Sequence, residues 1–250
     1  MTRRHDTMTK TLGIIGSGMI GGAVARLAVA AGLDVVLSNS RGPETLAGLV
    51  GELGARARAA TPEEAARAGD LVVAAIPMHA YDRLPAAALA GRTVIDTANY
   101  YTFRDGRIAE LATGQVRSSA LVQRHLADSS VVKAFNNTSC GHLSTRVARP
   151  SGAPDRSALP LAGDDTAAKD RVVRLMDVLG YDGVDIGTLA DSWRMEHGSP
   201  VYVQPYAAPQ PWGLSQEEAE RWFFEDPGVP VSAARVKELA AAAVRRFQNR

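Results

Sequence analysis

Leu12-Gly13-Ile14-Ile15-Gly16-Ser17-Gly18-Met19-Ile20-Gly21 is the stretch on which the reading turns. A short apolar run ends in a glycine, and Gly16, Gly18 and Gly21 then stand at G-x-G-x-x-G spacing. The spacing alone is weak evidence, and context gives it weight. Met19 to Ala31 is alanine-rich and helix-prone, Gly32 closes it, and Val35-Val36-Leu37 is a second apolar run. Strand, glycine turn, helix, strand is a frame in which each glycine has a separate physical reason. Gly16 allows the tight turn, Gly18 lets the backbone approach a pyrophosphate, and Gly21 allows close helix–strand packing. Amides freed at the helix start, along Ser17, Met19 and Ile20, then face the diphosphate. The bland alternative is a glycine-rich turn with no ligand.

The exit of the second run selects the nucleotide. Enzymes that use NAD place Asp or Glu there, and this chain has Ser38-Asn39-Ser40-Arg41. No carboxylate repels a 2′-phosphate, while two hydroxyls, an amide and a guanidinium are available to it, and Arg pairs bidentately with phosphate. The expectation is NADP(H), with Asn39, Ser40 and Arg41 as contacts. A solvated turn of the same composition is the competing reading.

Further along, short apolar runs keep alternating with helical stretches. Glu44 to Leu53 reads as a helix stopped by Gly54, and Thr61-Pro62-Glu63-Glu64 has the capping hydroxyl, early proline and acids of a helix start. Leu71 to Ile76 reads as a buried strand with Pro77 at its exit; Thr93-Val94-Ile95 and Val131-Val132 follow in the same style. Such runs predict a parallel sheet covered on both faces, an α/β fold of the doubly wound Rossmann type. Ligands in such sheets lie over the carboxyl ends of the strands. Ile76, Pro77 and Asn99 should therefore line the channel to the nicotinamide, with Tyr100 and Tyr101 as further contacts or as packing residues.

Val131-Val132-Lys133-Ala134-Phe135-Asn136-Asn137 is the second informative stretch. A lysine inside a valine-rich strand is awkward unless it faces a cleft. Lys133 then contacts cofactor phosphate or ribose, or donates a proton; otherwise its stem reaches solvent. Asn136 is expected at the nicotinamide, on its carboxamide or on the substrate, and these two are the catalytic candidates. Cys140-x-His142 lacks a third neighbouring ligand and reads as a loop, not a zinc site. His79 reads as a substrate contact or a plain loop residue. Glu196 and His197 are adjacent and so point to different faces if helical.

After Asn137 the texture changes. Leu159-Pro160-Leu161-Ala162 and Gly183 to Ile186 read as added strands, flanking a helix opened by Asp164-Asp165-Thr166 with Val172, Leu175, Met176 and Leu179 on one face. Pro200 to Pro211 reads as an extended linker and Ser215-x-x-Glu218 as a capping box. Val236, Leu239, Ala240, Ala243, Val244 and Phe247 form a helical stripe to be buried on its own body or on a second copy, which points to a homodimer through this arm. The expected organisation is a flexible leader at 1–10, a nucleotide-binding core at 11–137, a sheet extension at 138–205, and a linker with a helical arm at 206–250.

Composition closes off other classes. The 250 residues carry 28 basic and 27 acidic side chains, a formal charge of +1, which removes a broad electrostatic case for nucleic acid. The one cysteine excludes an internal disulfide framework and a multi-cysteine metal site and fits a reducing cytoplasm. The charge-free stretch from Thr11 to Ala25 is too short to span a membrane, and Arg3-Arg4 lacks the rest of an export signal. A small-molecule substrate is the expected partner.

The order of motifs resembles the NADP oxidoreductases dependent on the deazaflavin coenzyme F-420, and the related cytosolic domain of STEAP metalloreductases. The resemblance covers residues 11–205 and rests on the glycine fingerprint, Ser38-Asn39-Ser40-Arg41, Ala75-Ile76-Pro77, Val131 through Asn136, and Ala162-Gly163-Asp164-Asp165 before a helix. It implies a sheet extended by C-terminal strands, NADPH held through Gly16 to Ile20, Ser40 and Arg41, and a second ring system (flavin or deazaflavin) stacked on the nicotinamide. Hydride transfer between stacked rings needs proximity and orientation more than a strong acid or base. Asn136 stands near where the deazaflavin enzymes carry a histidine, and the segments 138–158 and 206–250 are longer than the family pattern. The acceptor therefore stays open between deazaflavin, flavin and a small carbonyl compound. Two other readings share the N-terminal half: an enzyme similar to β-hydroxyacid dehydrogenases or imine reductases, and an NADPH sensor without turnover.

Overall fold

The structure is a computed structural model that describes residues 9–144, 147–226 and 228–244. Of the expected leader, 1–8 lie outside the described residues, as does Phe247 of the C-terminal stripe. Eight strands, β1 (Thr11–Ile15), β2 (Asp34–Ser38), β3 (Ala57–Ala59), β4 (Leu71–Ala74), β5 (Thr93–Asp96), β6 (Ser130–Ala134), β7 (Ala158–Gly163) and β8 (Asp182–Asp185), form one sheet. Their order is β3-β2-β1-β4-β5-β6-β7-β8. The first six are parallel, β7 runs antiparallel to β6, and β8 is parallel to β7. This is a Rossmann-type sheet with two added strands. The order reverses between β1 and β4, which opens a crevice beyond their carboxyl ends.

The helices are α1 (Met19–Ala30), α2 (Ala47–Leu53), α3 (Pro62–Ala68), α4 (Ala86–Leu89), α5 (Thr102–Asp105), α6 (Ala109–Ala112), α7 (Ser118–His125), α8 (Thr166–Val178), α9 (Gln216–Glu225) and α10 (Ala233–Ala241). Alternation along the central strands divides the core into two layers. Leu12, Ile14, Val73, Ile95 and Val132 face α1 and α8, whereas Ile15, Val72, Ala74, Val94 and Val131 face α3, α4 and α7. Burying each such Val, Leu or Ile contributes about 1.5–3 kcal/mol. That two-sided burial is why the strands read as continuous apolar runs. Among the described residues no helix is long and apolar enough to cross a membrane.

Local signals were realised at both predicted caps. Thr61 and Glu64 form a reciprocal capping box at α3, and Ser215 and Glu218 form another at α9. Two expectations change. The helix expected over Glu44 to Leu53 is a tight 3-10 turn, Pro43–Leu46, followed by α2. The segment 200–211 is no free linker. It buries Val201 and Tyr206, and the Tyr206 hydroxyl donates to the Ala158 carbonyl of β7 at 2.9 Å. The stripe of α10 is covered within the chain itself: Val236, Leu239 and Ala240 are buried as the helix packs on β7 and β8, while Val244 beyond it is exposed.

Candidate functional site

The glycine turn at the exit of β1 is shaped as its chemistry requires. Gly16 has φ +97°, and a Cβ there would lie 2.3 Å from the Ala75 carbonyl oxygen; one on Gly21 would lie 1.9 Å from the Gly16 carbonyl oxygen. Both positions admit only glycine because backbone stands in the way. Gly18 is different: no atom lies within 4 Å of where its Cβ would be. Nothing in the fold needs a glycine there, so the open space is on the side from which a ligand would approach. Gly18 is also the N-cap of α1 and carries no side-chain cap, and the first turn holds no acid. The amides at this helix start are left to an anion. Ser17 serves the turn itself, with its hydroxyl donating to the Ser38 carbonyl at 3.0 Å beside a 2.9 Å bond from the Gly16 amide.

At the exit of β2 the four polar residues Ser38 to Arg41, three of them predicted contacts, separate. The Ser38 side chain is buried and donates to the Ile14 carbonyl at 3.0 Å, so it is not available to a phosphate. The Asn39 side chain builds the loop: its oxygen accepts from the amides of Arg41 and Gly42, and its nitrogen donates to Thr45. Ser40 and Arg41 are exposed, and among the described residues neither side chain has a hydrogen-bond or ion-pair partner. An unpaired guanidinium presented by a fixed turn suits a phosphate.

The exits of β4, β5 and β6 form the opposite wall. Ile76 lies against Gly16, its Cγ2 3.0 Å from where a Cβ would be, and Pro77 follows it. Asn99 and Asn136 are buried and reciprocally bonded. The Asn99 amide nitrogen donates to the Asn136 carbonyl at 2.8 Å, and the Asn136 nitrogen donates to the Asn99 side-chain oxygen at 3.0 Å and the Met195 carbonyl at 2.9 Å. This network fixes the orientation of both amides and leaves the Asn136 Oδ1 buried without a partner. Just before it, Phe135 is fully buried with φ 59°, a backbone state that costs a non-glycine residue about 1–3 kcal/mol.

Lys133 is a correction to the sequence reading. It faces no cleft and does not reach solvent. The fully buried ammonium donates to the Ala98 carbonyl at 2.7 Å, Ser118 Oγ at 2.9 Å and Ser119 Oγ at 3.1 Å, which uses all three of its donors. Glu196 at 3.4 Å and Asp96 at 3.8 Å balance its charge. The side chain leaves β6 on the α7 face because period-two alternation sets it there with Val131. Lys133 thus holds the exit of β5 by the carbonyl before Asn99.

The remaining candidates also find their places. Glu196 points inward to Lys133 and Ser118, whereas His197 is exposed and packs on Tyr101 and Tyr202. Tyr101 and Tyr202 share a hydrogen bond between their hydroxyls. Burial, and the bond to Tyr101, raise the Tyr202 hydroxyl well above its usual range. Tyr100 bonds the Gly106 carbonyl and the Ile108 amide, a packing role. His142 lies beside Asp226 at 3.1 Å, away from this crevice, and Cys140 is a free thiol. The sequence reading missed Asp105, which bonds His79, Arg104 and the Tyr101 amide. It also missed the two serines that open α7. No motif marks those contacts, which the tertiary fold assembles.

Residues 11–100 match the family described as NADP oxidoreductase, coenzyme F420-dependent. The chain is 30% identical to a hypothetical protein of Sinorhizobium meliloti, with TM-score 0.68, over 79% of this chain and 95% of that one. A structure assigned as an F420-dependent NADP reductase of Arthrobacter sp. FB24 is 25% identical, with TM-score 0.60, over 74% of this chain and 87% of that one. Over residues 11–100 the chain is similar to this family of NADP oxidoreductases. Among curated proteins it is 30% identical to metalloreductase STEAP3 of Rattus norvegicus over 187 residues, 74% of this chain and 35% of that protein. It thus spans about a third of STEAP3. The family's nucleotide fits the site here: a capless helix start, an open Gly18 cradle and an unpaired Arg41 supply donors for a diphosphate and a 2′-phosphate, with no carboxylate at the end of β2.

Proposed function

We propose that the chain binds NADPH across the β1–β4 crevice and passes hydride to a planar conjugated acceptor of the deazaflavin or flavin type. The observation that carries this reading is the pairing of an open cradle at Gly18 with a free guanidinium at Arg41. The amides of Met19 and Ile20 hold the diphosphate, and Ser40 and Arg41 hold the 2′-phosphate. Ile76 and Pro77 wall the path between them and the exit of β5. Asn99 and Asn136 fix each other at the exits of β5 and β6, where the path to the nicotinamide ends. NADPH, when bound, supplies the hydride from its nicotinamide ring. The protein's part is binding and orientation, with Lys133 bracing the wall from behind.

Calorimetric titration with NADPH and NADH, followed by stopped-flow oxidation of bound NADPH with FMN, a 5-deazaflavin and a small ketone, tests this reading. Selective NADPH binding and rapid oxidation by one of the ring acceptors are expected. Tight binding without oxidation by any of them would replace the proposal with a nucleotide sensor. Oxidation by the ketone alone would favour the imine-reductase-like reading.

A further inference from the structure

Two residues past Pro77, His79 stands at the exit of β4, the strand whose Ala75 and Ile76 lie against the Gly16 turn. Its Nδ1 is 3.1 Å from Asp105 Oδ1, and its side chain is 45% exposed while that of Asp105 is fully buried. The His79 amide also donates to Asp105 Oδ1 at 3.4 Å, and Asp105 is fixed further by the Tyr101 amide at 2.9 Å and by the Arg104 guanidinium through Nε at 3.0 Å and Nη2 at 2.9 Å. Arg104 Nη2 also donates to the Asn99 carbonyl at 2.7 Å, and Asn99 is bonded to Asn136. A continuous set of hydrogen bonds therefore runs from His79 to the amide pair at the exits of β5 and β6. The His79 Nε2 has no protein partner among the described residues.

A buried carboxylate on Nδ1 selects the Nδ1–H tautomer of a neutral imidazole and leaves Nε2 to exchange a proton with whatever lies outside. The hydrogen bonds hold Asp105 below the usual carboxylate range against the opposing effect of burial, so it remains the charged partner. The charged and titratable groups around His79 are Asp105 and, through it, Arg104, with Tyr81, Asp82 and Arg83 following on its own segment.

We propose that His79, oriented by Asp105, is the general acid of this site. The inference rests on the NADPH-oxidoreductase reading above. Hydride addition brings two electrons and forms one bond to hydrogen on the acceptor. The displaced π pair moves onto a conjugated nitrogen or oxygen, and that atom takes the proton from imidazolium Nε2. The N–H bond of His79 breaks, a new N–H or O–H bond forms on the acceptor, and the exposed imidazole, now neutral, recovers a proton from solvent. His79 is the catalytic residue in this assignment and Asp105 the positioning residue.

The test combines imidazole NMR, nucleotide calorimetry and kinetics on the full chain. The signal missing in H79Q identifies His79. In the wild type its ¹⁵N shifts should report the Nδ1–H tautomer at high pH, D105N should abolish that preference, and saturation with NADP⁺ should move the His79 resonances. NADPH affinity should stay within about threefold in both variants. With FMN or a 5-deazaflavin as probe, whichever the wild type reduces, H79Q should lower kcat about 100-fold, the scale of general acid catalysis. The wild-type fall in kcat as pH rises should vanish with it. Resonances of His79 that ignore saturating NADP⁺, or an H79Q enzyme with unchanged kcat and pH profile, would overturn the assignment. A wild-type protein that binds no pyridine nucleotide would instead refute the underlying functional reading.

Discussion

Four neighbouring residues at the exit of β2 carry the same promise on paper and different duties in the fold. Ser38 and Asn39 are consumed by the loop, while Ser40 and Arg41 stay free. Sequence gives the residue types, but the direction of a side chain depends on which backbone groups the folded chain brings beside it. Arg41→Ala should therefore weaken NADPH by about 10- to 150-fold, the range for losing charge-assisted hydrogen bonds. NADH, which lacks the phosphate, should be nearly unaffected, and calorimetry with both nucleotides decides the matter. Equal losses would remove Arg41 from the phosphate site. Lys133 teaches the converse lesson. Its oddness in a strand was legible, but its partners on α7 and at Glu196 were not, because they come from distant segments on either side of it that carry no motif of their own. Lys133→Met should cost about 3–5 kcal/mol in urea unfolding, since Asp96 and Glu196 would lose their shared counter-charge.

Among the elements, β1, α1, β2, β4, β5 and β6 were readable because each is buried on both faces or patterned by small residues. The short strand β3 and the helices between Ala86 and Ala112 were not, since three or four residues carry too little periodicity to declare a state. The glycine turn allows a sharp comparison of two positions in one motif. Gly21→Ala would drive a Cβ to 1.9 Å from a backbone oxygen, so thermal unfolding should show a marked loss of stability. Gly18→Ala meets nothing, so it should keep the wild-type melting temperature and still lose NADPH affinity by about tenfold or more as the methyl enters the ligand's space. A Gly18→Ala protein with unaltered affinity would place the diphosphate elsewhere.

At the scale of the whole molecule, charge and covering of the sheet both matter. Asp105 has a folded-state value below its unfolded value of about 3.9. Its contribution to stability is therefore complete above the unfolded value and disappears as pH falls through the folded one. Chemical denaturation at a series of acid pH values should show a shallower loss of stability for D105N than for the wild type over that window; parallel curves would exclude Asp105 as a source of the acid limb. The cover of the far edge gives a second expectation. Leu239→Ala should cost about 2–5 kcal/mol, because the side chain is 8% exposed against the body of its own chain. Its unfolding midpoint should not vary with protein concentration, and a dependence would assign the cover to a second copy.

The added strands carry one more implication, for synthesis. The Ala158 amide of β7 donates to the Val231 carbonyl, and Val231, Val236 and Leu239 belong to the same apolar cluster as Leu159 and Leu161. A nascent chain that has emerged only as far as β8 already holds the six parallel strands but leaves the oily flank of β7 bare. That flank is sealed only when residues 231–239 leave the ribosome, so the terminal helix acts late, as the closing stitch of a sheet begun at the first glycine turn.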